Sequence, residues 1–407
     1  MEIQKQVSTF DQRTKRALLW MNLSHEPFMV LYALLPFILR KDLHASLLQI
    51  SIFSALRPVL PVFSFYWSAN LTHRRHRLRA NLIGAWVLAR LPFVFIPWFD
   101  NAWYLIACCA LYELFNKSGI PALMEIFKIN LPKDSREKTF TFYFVLSFLE
   151  SILLGIFMAG VLDKFSAAWQ VCCSLTALIG LSSVIAQLKV PIPEVDQPVA
   201  RTKMSLLQPW KEAISLLRNR PDFARFQWGF MVGGFGLMFI APSLSVFYVD
   251  YLELSHSTIV VGRSILMGLG IVLSSYFWQK VLSKNSVTEL TRNILVGFGL
   301  FPFLLVLSYF QMGWFYLAFI VYGIAQAGSH LLWNLSGTLF AVNEDSSQFS
   351  RVNILMLGLR GAIAPALGGL MCQWGGAVAS LVIGALFCLG GACYIAARAI
   401  SLRELQN

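Results

Sequence analysis

Three carboxylates and five cations lie inside long apolar stretches of this chain: Glu26, Glu113 and Glu150, with Arg57, Arg90, Lys117, Arg263 and Arg360. A charge at the centre of a bilayer costs roughly 3 kcal/mol or more, so such residues persist where they are paired or reached by water. A carboxylate there can take up and release a proton near neutral pH, which makes Glu26, Glu113 and Glu150 candidates for proton coupling. Guanidinium groups match carboxylates and phosphates in shape, and here the cations outnumber the acids. Arg57, Arg263 and Arg360 are therefore candidate clamps for an anion. Lys117 lies one turn from Glu113 on the same helix face. Gln326, His330 and Asn334 follow at i, i+4 and i+8, a polar stripe along one side of a helix that a solute could contact. The competing structural reading is that the charges pair off, Arg57 with Glu26 and Lys117 with Glu113, and only hold helices in register.

The elements that must position these groups are membrane spans. The chain is 57% hydrophobic and only 13% charged, about half the charged fraction of a soluble domain. Apolar stretches near the 20 residues a spanning helix needs run over 17–39, 45–68, 80–99, 102–126, 139–162 and 167–188. They resume over 225–249, 257–281, 291–310, 313–341, 352–373 and 377–397. Connections as short as Asp100-Asn101 and Gln373-Trp374-Gly375 make successive helices antiparallel neighbours.

Lys and Arg alternate strongly between loops: 25 fall on the side of the N-terminus and three, Arg40, Lys41 and Lys164, on the other. That split predicts cytoplasmic termini at both ends and an even number of spans. It also accounts for the net charge of +12 without a nucleic-acid partner. The polar start and long first apolar run do not read as a signal peptide, and the compact loops suit a bacterial inner (cytoplasmic) membrane.

Enzyme chemistry finds no support. The seven cysteines lack CxxC spacing and read as small packing residues. No phosphate-cradling loop, zinc spacing or hydrolase elbow is present, and His73-Arg74-Arg75-His76 is a basic loop rather than a metal site. Neither a metal nor a cofactor is expected.

The segment 189–223 is the longest polar stretch. It opens Val190-Pro191-Ile192-Pro193 and continues into Trp210–Leu217, where apolar residues recur at helical spacing, as in an amphipathic helix lying on the membrane surface. It separates an N-terminal bundle, 1–188, from a C-terminal one, 224–407. The halves echo each other: Phe65-Tyr66-Trp67 recurs as Tyr276-Phe277-Trp278, and Ser135-Arg136 as Ser350-Arg351. Such internal similarity suggests two bundles related by an axis along the membrane normal.

This arrangement resembles the major facilitator superfamily of secondary transporters over essentially the whole chain. Between helices 2 and 3 that family carries G-x-L-x-D-R-x-G-R-R. Here Ala69-Asn70-Leu71-Thr72-His73-Arg74-Arg75-His76-Arg77-Leu78 keeps the Leu and two arginines but has His73 in place of the acid. The resemblance assigns Arg74 and Arg77 to a cytoplasmic gate. The stretch Arg360-Gly361-Ala362-Ile363-Ala364-Pro365-Ala366-Leu367-Gly368-Gly369 is similar to the small-residue-rich eleventh helix. Phe115 stands where drug–proton antiporters carry an Arg. The resemblance further implies an all-α integral membrane fold of 12 transmembrane helices in two six-helix bundles. Helices 1, 4, 7 and 10 would surround a cavity lined by Glu26, Glu113, Lys117 and the 326–334 stripe.

The function expected from these residues is alternating-access transport of a small polar, anionic organic solute coupled to protons. The protein is expected to work as a monomer in the lipid bilayer. Two rivals are an exporter of amphipathic compounds and, from another class, a non-transporting membrane sensor.

Overall fold

The computed structural model describes residues 2–63, 77–165, 167–192, 207–284, 287–341 and 346–397. Among them every regular element is a helix: α1 Glu2–Lys41, α2 Leu47–Val59, α3 Leu78–Val94, α4 Ala102–Asn130, α5 Lys133–Lys164, α6 Ala168–Ser182 and α7 Val184–Leu188. The series continues with α8 Gln208–Asn219, α9 Pro221–Val246, α10 His256–Val260, α11 Met267–Lys284, α12 Val287–Leu307, α13 Gly313–Phe340 and α14 Ser346–Ala397. Eight stretches of described helix are long and apolar enough to cross a membrane. Large apolar side chains such as Leu153, Phe157, Leu273 and Phe310 stand exposed, a surface suited to acyl chains rather than water.

Local chemistry explains many boundaries. Ser46 caps α2 with a reciprocal box: its hydroxyl accepts from the Gln49 N–H at 3.3 Å, and its own N–H donates to Gln49 Oε1 at 2.8 Å. The Asn101 side chain accepts from the Trp103 N–H at 2.8 Å and starts α4 after a two-residue turn. The second apolar stretch does not stay α-helical throughout. After Arg57-Pro58 it tightens into a 3₁₀ turn, Leu60–Phe63, where Pro58 and Pro61 each remove a backbone donor. The longest helical run, α14, is two helices meeting at Gly376, whose φ of +81° and ψ of 168° only glycine adopts without strain. The Ser380 hydroxyl donates back to the Gly368 carbonyl at 3.3 Å across that corner.

The chain divides into two compact units, Met1–Leu43 with Phe63–Met204, and His44–Val62 with Ser205–Asn407. In the first unit α1 packs on α5 and α6, and α3 on α4 and α6. Its core includes Leu18, Met21, Leu82, Trp86 and Ile126. In the second unit α9 and α12 pack along α14, and α11 along α13. Phe223, Phe226, Phe340 and Phe349 meet there edge-on and stacked. Helix α2 also packs on α14, which places Arg57 in the second unit. A Cβ on Gly368 would overlap the Phe239 carbonyl, so glycine is what permits α14 to approach α9 this closely. Helix α8 belongs to the second unit, where its Glu212 pairs with Arg351 at 3.1 Å.

Candidate functional site

In the second unit three basic side chains come from three separate elements. Arg57 projects from the last turn of α2. Arg263 sits in a π-helical turn, Val261–Leu266, between α10 and α11. His330 lies on α13, one turn past Gln326. Arg57 is within electrostatic reach of both Arg263 and His330, and Arg263 of Tyr248 and Tyr322. The Gln326 amide donates to the Tyr322 hydroxyl at 2.6 Å, so Tyr322 extends the polar stripe of α13 by one more turn. Among the described residues no carboxylate pairs with Arg57, Arg263 or His330. Fixed positive charge gathered without a counter-ion attracts an anion, and the guanidinium fork can grip one with two hydrogen bonds. The extra backbone residue of a π turn re-aims a side chain, and such turns recur at functional sites.

Arg360 has a different environment. It is 8% exposed, and its Nη1 donates to the Phe230 carbonyl at 2.8 Å. The guanidinium lies 5.3 Å from the Phe230 ring centroid and occupies the space over Gly234 where a side chain would otherwise stand. In this conformation it ties α14 to α9. Asn334 falls within α13, but its side chain lies outside the described residues, as does all of Arg74. Arg77 is described and exposed, immediately before α3.

In the first unit the charges form two groups. Glu113 is 3% exposed and accepts from the Tyr32 phenol at 2.9 Å, which joins α4 to α1. Lys117, one turn further, is exposed. Beside them Arg90 is fully buried. Its Nη2 meets His25 Nδ1 at 2.7 Å, its Nη1 donates to the Trp86 carbonyl at 3.2 Å, and its guanidinium stacks 3.4 Å from the Trp86 ring centroid. Because arginine can only donate, His25 must accept at Nδ1.

Glu26 forms the second group with α5. It lies within hydrogen-bonding reach of the Ser147 and Ser151 hydroxyls, and Glu150 is close enough to feel its charge. The Ser147 hydroxyl donates to Asn22 Oδ1 at 3.0 Å. One carboxylate oxygen of Glu150 is buried without a hydrogen-bond partner. Two acids and two hydroxyls thus gather between α1 and α5. Of these four, the two acids are candidates from the sequence and the serines are not. Their signal was spacing, since Ser147 and Ser151 are four apart and flank Glu150.

Repeated long apolar helices are the architecture of a multi-pass membrane protein. The chain belongs to the Major Facilitator Superfamily, whose family model matches residues 27–353. It is accordingly a membrane transporter by family and not an enzyme. No curated protein shows a significant sequence match to it. Among solved structures it is similar to the nucleoside transporter NupG, at 14% identity and TM-score 0.69, covering 95% of this chain and 98% of that one. It is also similar to a POT family transporter in complex with 5-aminolevulinic acid, at 12% identity and TM-score 0.71, covering 98% and 96%. A D-xylose–proton symporter matches at 14% identity and TM-score 0.68, covering 97% and 99%. At these identities the likeness establishes the shared fold alone.

Proposed function

We propose that this protein is a secondary active transporter that moves a small organic anion by alternating access, coupled to protons. The observation that carries this reading is the gathering of Arg57, Arg263 and His330 in one unit without a carboxylate partner among the described residues. A site left positive in its empty state is organised for an anionic cargo. Tyr322, Gln326 and Asn334 would add hydrogen bonds, with Arg360 supporting the site from α14. Glu26 and Glu150, bracketed by Ser147 and Ser151, would carry the proton. Glu113 would act with Lys117 close to His25, and Arg74 and Arg77 would close the cytoplasmic end. The twelve spans would form bundles 1–188 and 224–407, linked by 189–223, with both termini cytoplasmic in a cell membrane. Helix α2, first-half by sequence, would lend Arg57 to the anion site. That one of the similar structures is a xylose–proton symporter agrees with gradient-driven transport in this fold.

The test is reconstitution of the full chain in liposomes with an imposed pH gradient. Uptake of one or more organic anions, dependent on the gradient and lost in Arg57→Gln and Arg263→Gln, is the expected result. Gradient-independent flux, or preference for cations or neutral sugars, would overturn it.

A further inference from the structure

A positively charged recess lies in the first unit, and Glu26, Glu113 and Arg90 are not among its lining residues. It is a hollow of about 970 Å³ where the start of α1, the start of α3 and the end of α7 converge. Arg13, Arg16, Arg79 and Lys189 line it, and no Asp or Glu does. Arg13 and Arg16 are three apart and Trp20 follows four later, so the three share one stripe of α1. Arg79 Nη1 donates to the Leu188 carbonyl at 3.2 Å and fastens α3 to the end of α7. Among the described residues none of the four cations has an acidic partner.

The position of the recess gives its depth in the membrane. Candidate spans run Leu78–Trp98 and Ala168–Leu188. Arg79 is therefore the second residue of one span, and Lys189 directly follows the last residue of the other. Arg79 and Lys189 thus stand at the ends of their candidate spans, the level of headgroups whichever way the chain faces. On the membrane side of them the wall turns apolar and outward: Ile185 is 65% exposed and Trp20 47%. Tryptophan favours the interface between headgroups and acyl chains.

We propose that this recess binds an anionic phospholipid, with the phosphodiester held by Arg13, Arg16 and Lys189 and the acyl chains lying along Trp20 and Ile185. Guanidinium pairs grip phosphate oxygens bidentately, and basic pockets between spanning helices are where acidic headgroups dock. The volume accommodates a glycerophosphate head and the first carbons of its chains. A bound lipid would bridge α1, α3 and α7, three elements that reach the recess from different parts of the unit.

The test uses the full chain purified in a neutral detergent, titrated with phosphatidylglycerol, with phosphatidylcholine and with inorganic phosphate. Binding is counted by native mass spectrometry, and folding is read from the unfolding temperature. Phosphatidylglycerol should bind at least tenfold more tightly than phosphatidylcholine. Since each basic residue near an acidic headgroup contributes roughly fivefold, Arg13→Gln with Arg16→Gln should weaken it about 25-fold, while Arg13→Lys with Arg16→Lys keeps most of the affinity. If the Gln pair does not fold, Lys189→Gln alone should show a loss of roughly fivefold. Equal binding of the two lipids overturns the proposal, as does unchanged affinity in the folded Gln variants. Inorganic phosphate displacing phosphatidylglycerol at comparable concentration would make this a site for free anions and overturn it as well.

Discussion

Replacing Arg263 by glutamine tests whether the charged site of the second unit serves cargo or scaffold. Arg263 and Arg57 carry like charges within electrostatic reach, and among the described residues no acid offsets them. In the empty protein their mutual repulsion is a cost, so Arg263→Gln should leave stability within about 1 kcal/mol of wild type, or raise it. With an anion bound the balance reverses. A hydrogen bond to a charged group contributes about 1.5–3 kcal/mol, so the loss of one guanidinium should weaken anion binding roughly 10- to 150-fold. Arg263→Lys keeps the charge but not the fork, and should fall between the two. The assay is gradient-driven uptake in liposomes with KM and kcat separated, alongside thermal unfolding of the same variants without solute. A fall of several degrees in unfolding temperature with unchanged KM would show that Arg263 holds helices together, and the reasoning would fail.

Other residues carry sharper structural expectations. Tyr32→Phe leaves the buried Glu113 carboxylate without its phenol donor and should destabilise by about 1–3 kcal/mol, visible as earlier thermal unfolding; Glu113→Gln should cost less, because an amide still accepts. Gly376→Ala should lose about 1–3 kcal/mol because alanine resists the φ of +81° at that corner, and an unfolding profile matching wild type would contradict the geometry. Glu26→Gln should abolish solute accumulation driven by a pH gradient but preserve solute-for-solute exchange. Persistent accumulation in that variant would remove Glu26 from coupling.

Much of the architecture was legible because a bilayer is a demanding solvent. Its thickness sets the length of each apolar stretch, and its lack of hydrogen-bonding partners forces each stretch into a helix. The amphipathic segment was visible for the same kind of reason, since Trp210–Leu217 repeats at helical spacing and the structure has α8 at Gln208–Asn219. The turn near Gln373-Trp374-Gly375 was legible as a short break between apolar stretches, and in the structure it falls at Gly376. Less visible were the departures from α geometry, the 3₁₀ turn at Leu60–Phe63 and the π turns at Phe247–Tyr251 and Val261–Leu266. A one-residue change of helical register leaves the apolar pattern almost untouched.

The primary structure by itself determined that this chain crosses membranes repeatedly and which eight charged residues lie within its apolar stretches. Only the fold decided how they divide. Spacing along one helix shows which face a residue shares, but partners on other helices depend on side-chain packing between elements far apart in the chain. Arg360 thus lies against Phe230, 130 residues away, and Arg90 reaches back 65 residues to His25. Arg57 leaves its neighbours in sequence to stand with Arg263 and His330, because α2 buries its apolar face on α14. Close packing through small residues set that contact, and the contact brought together the positive charge on which an anionic cargo depends.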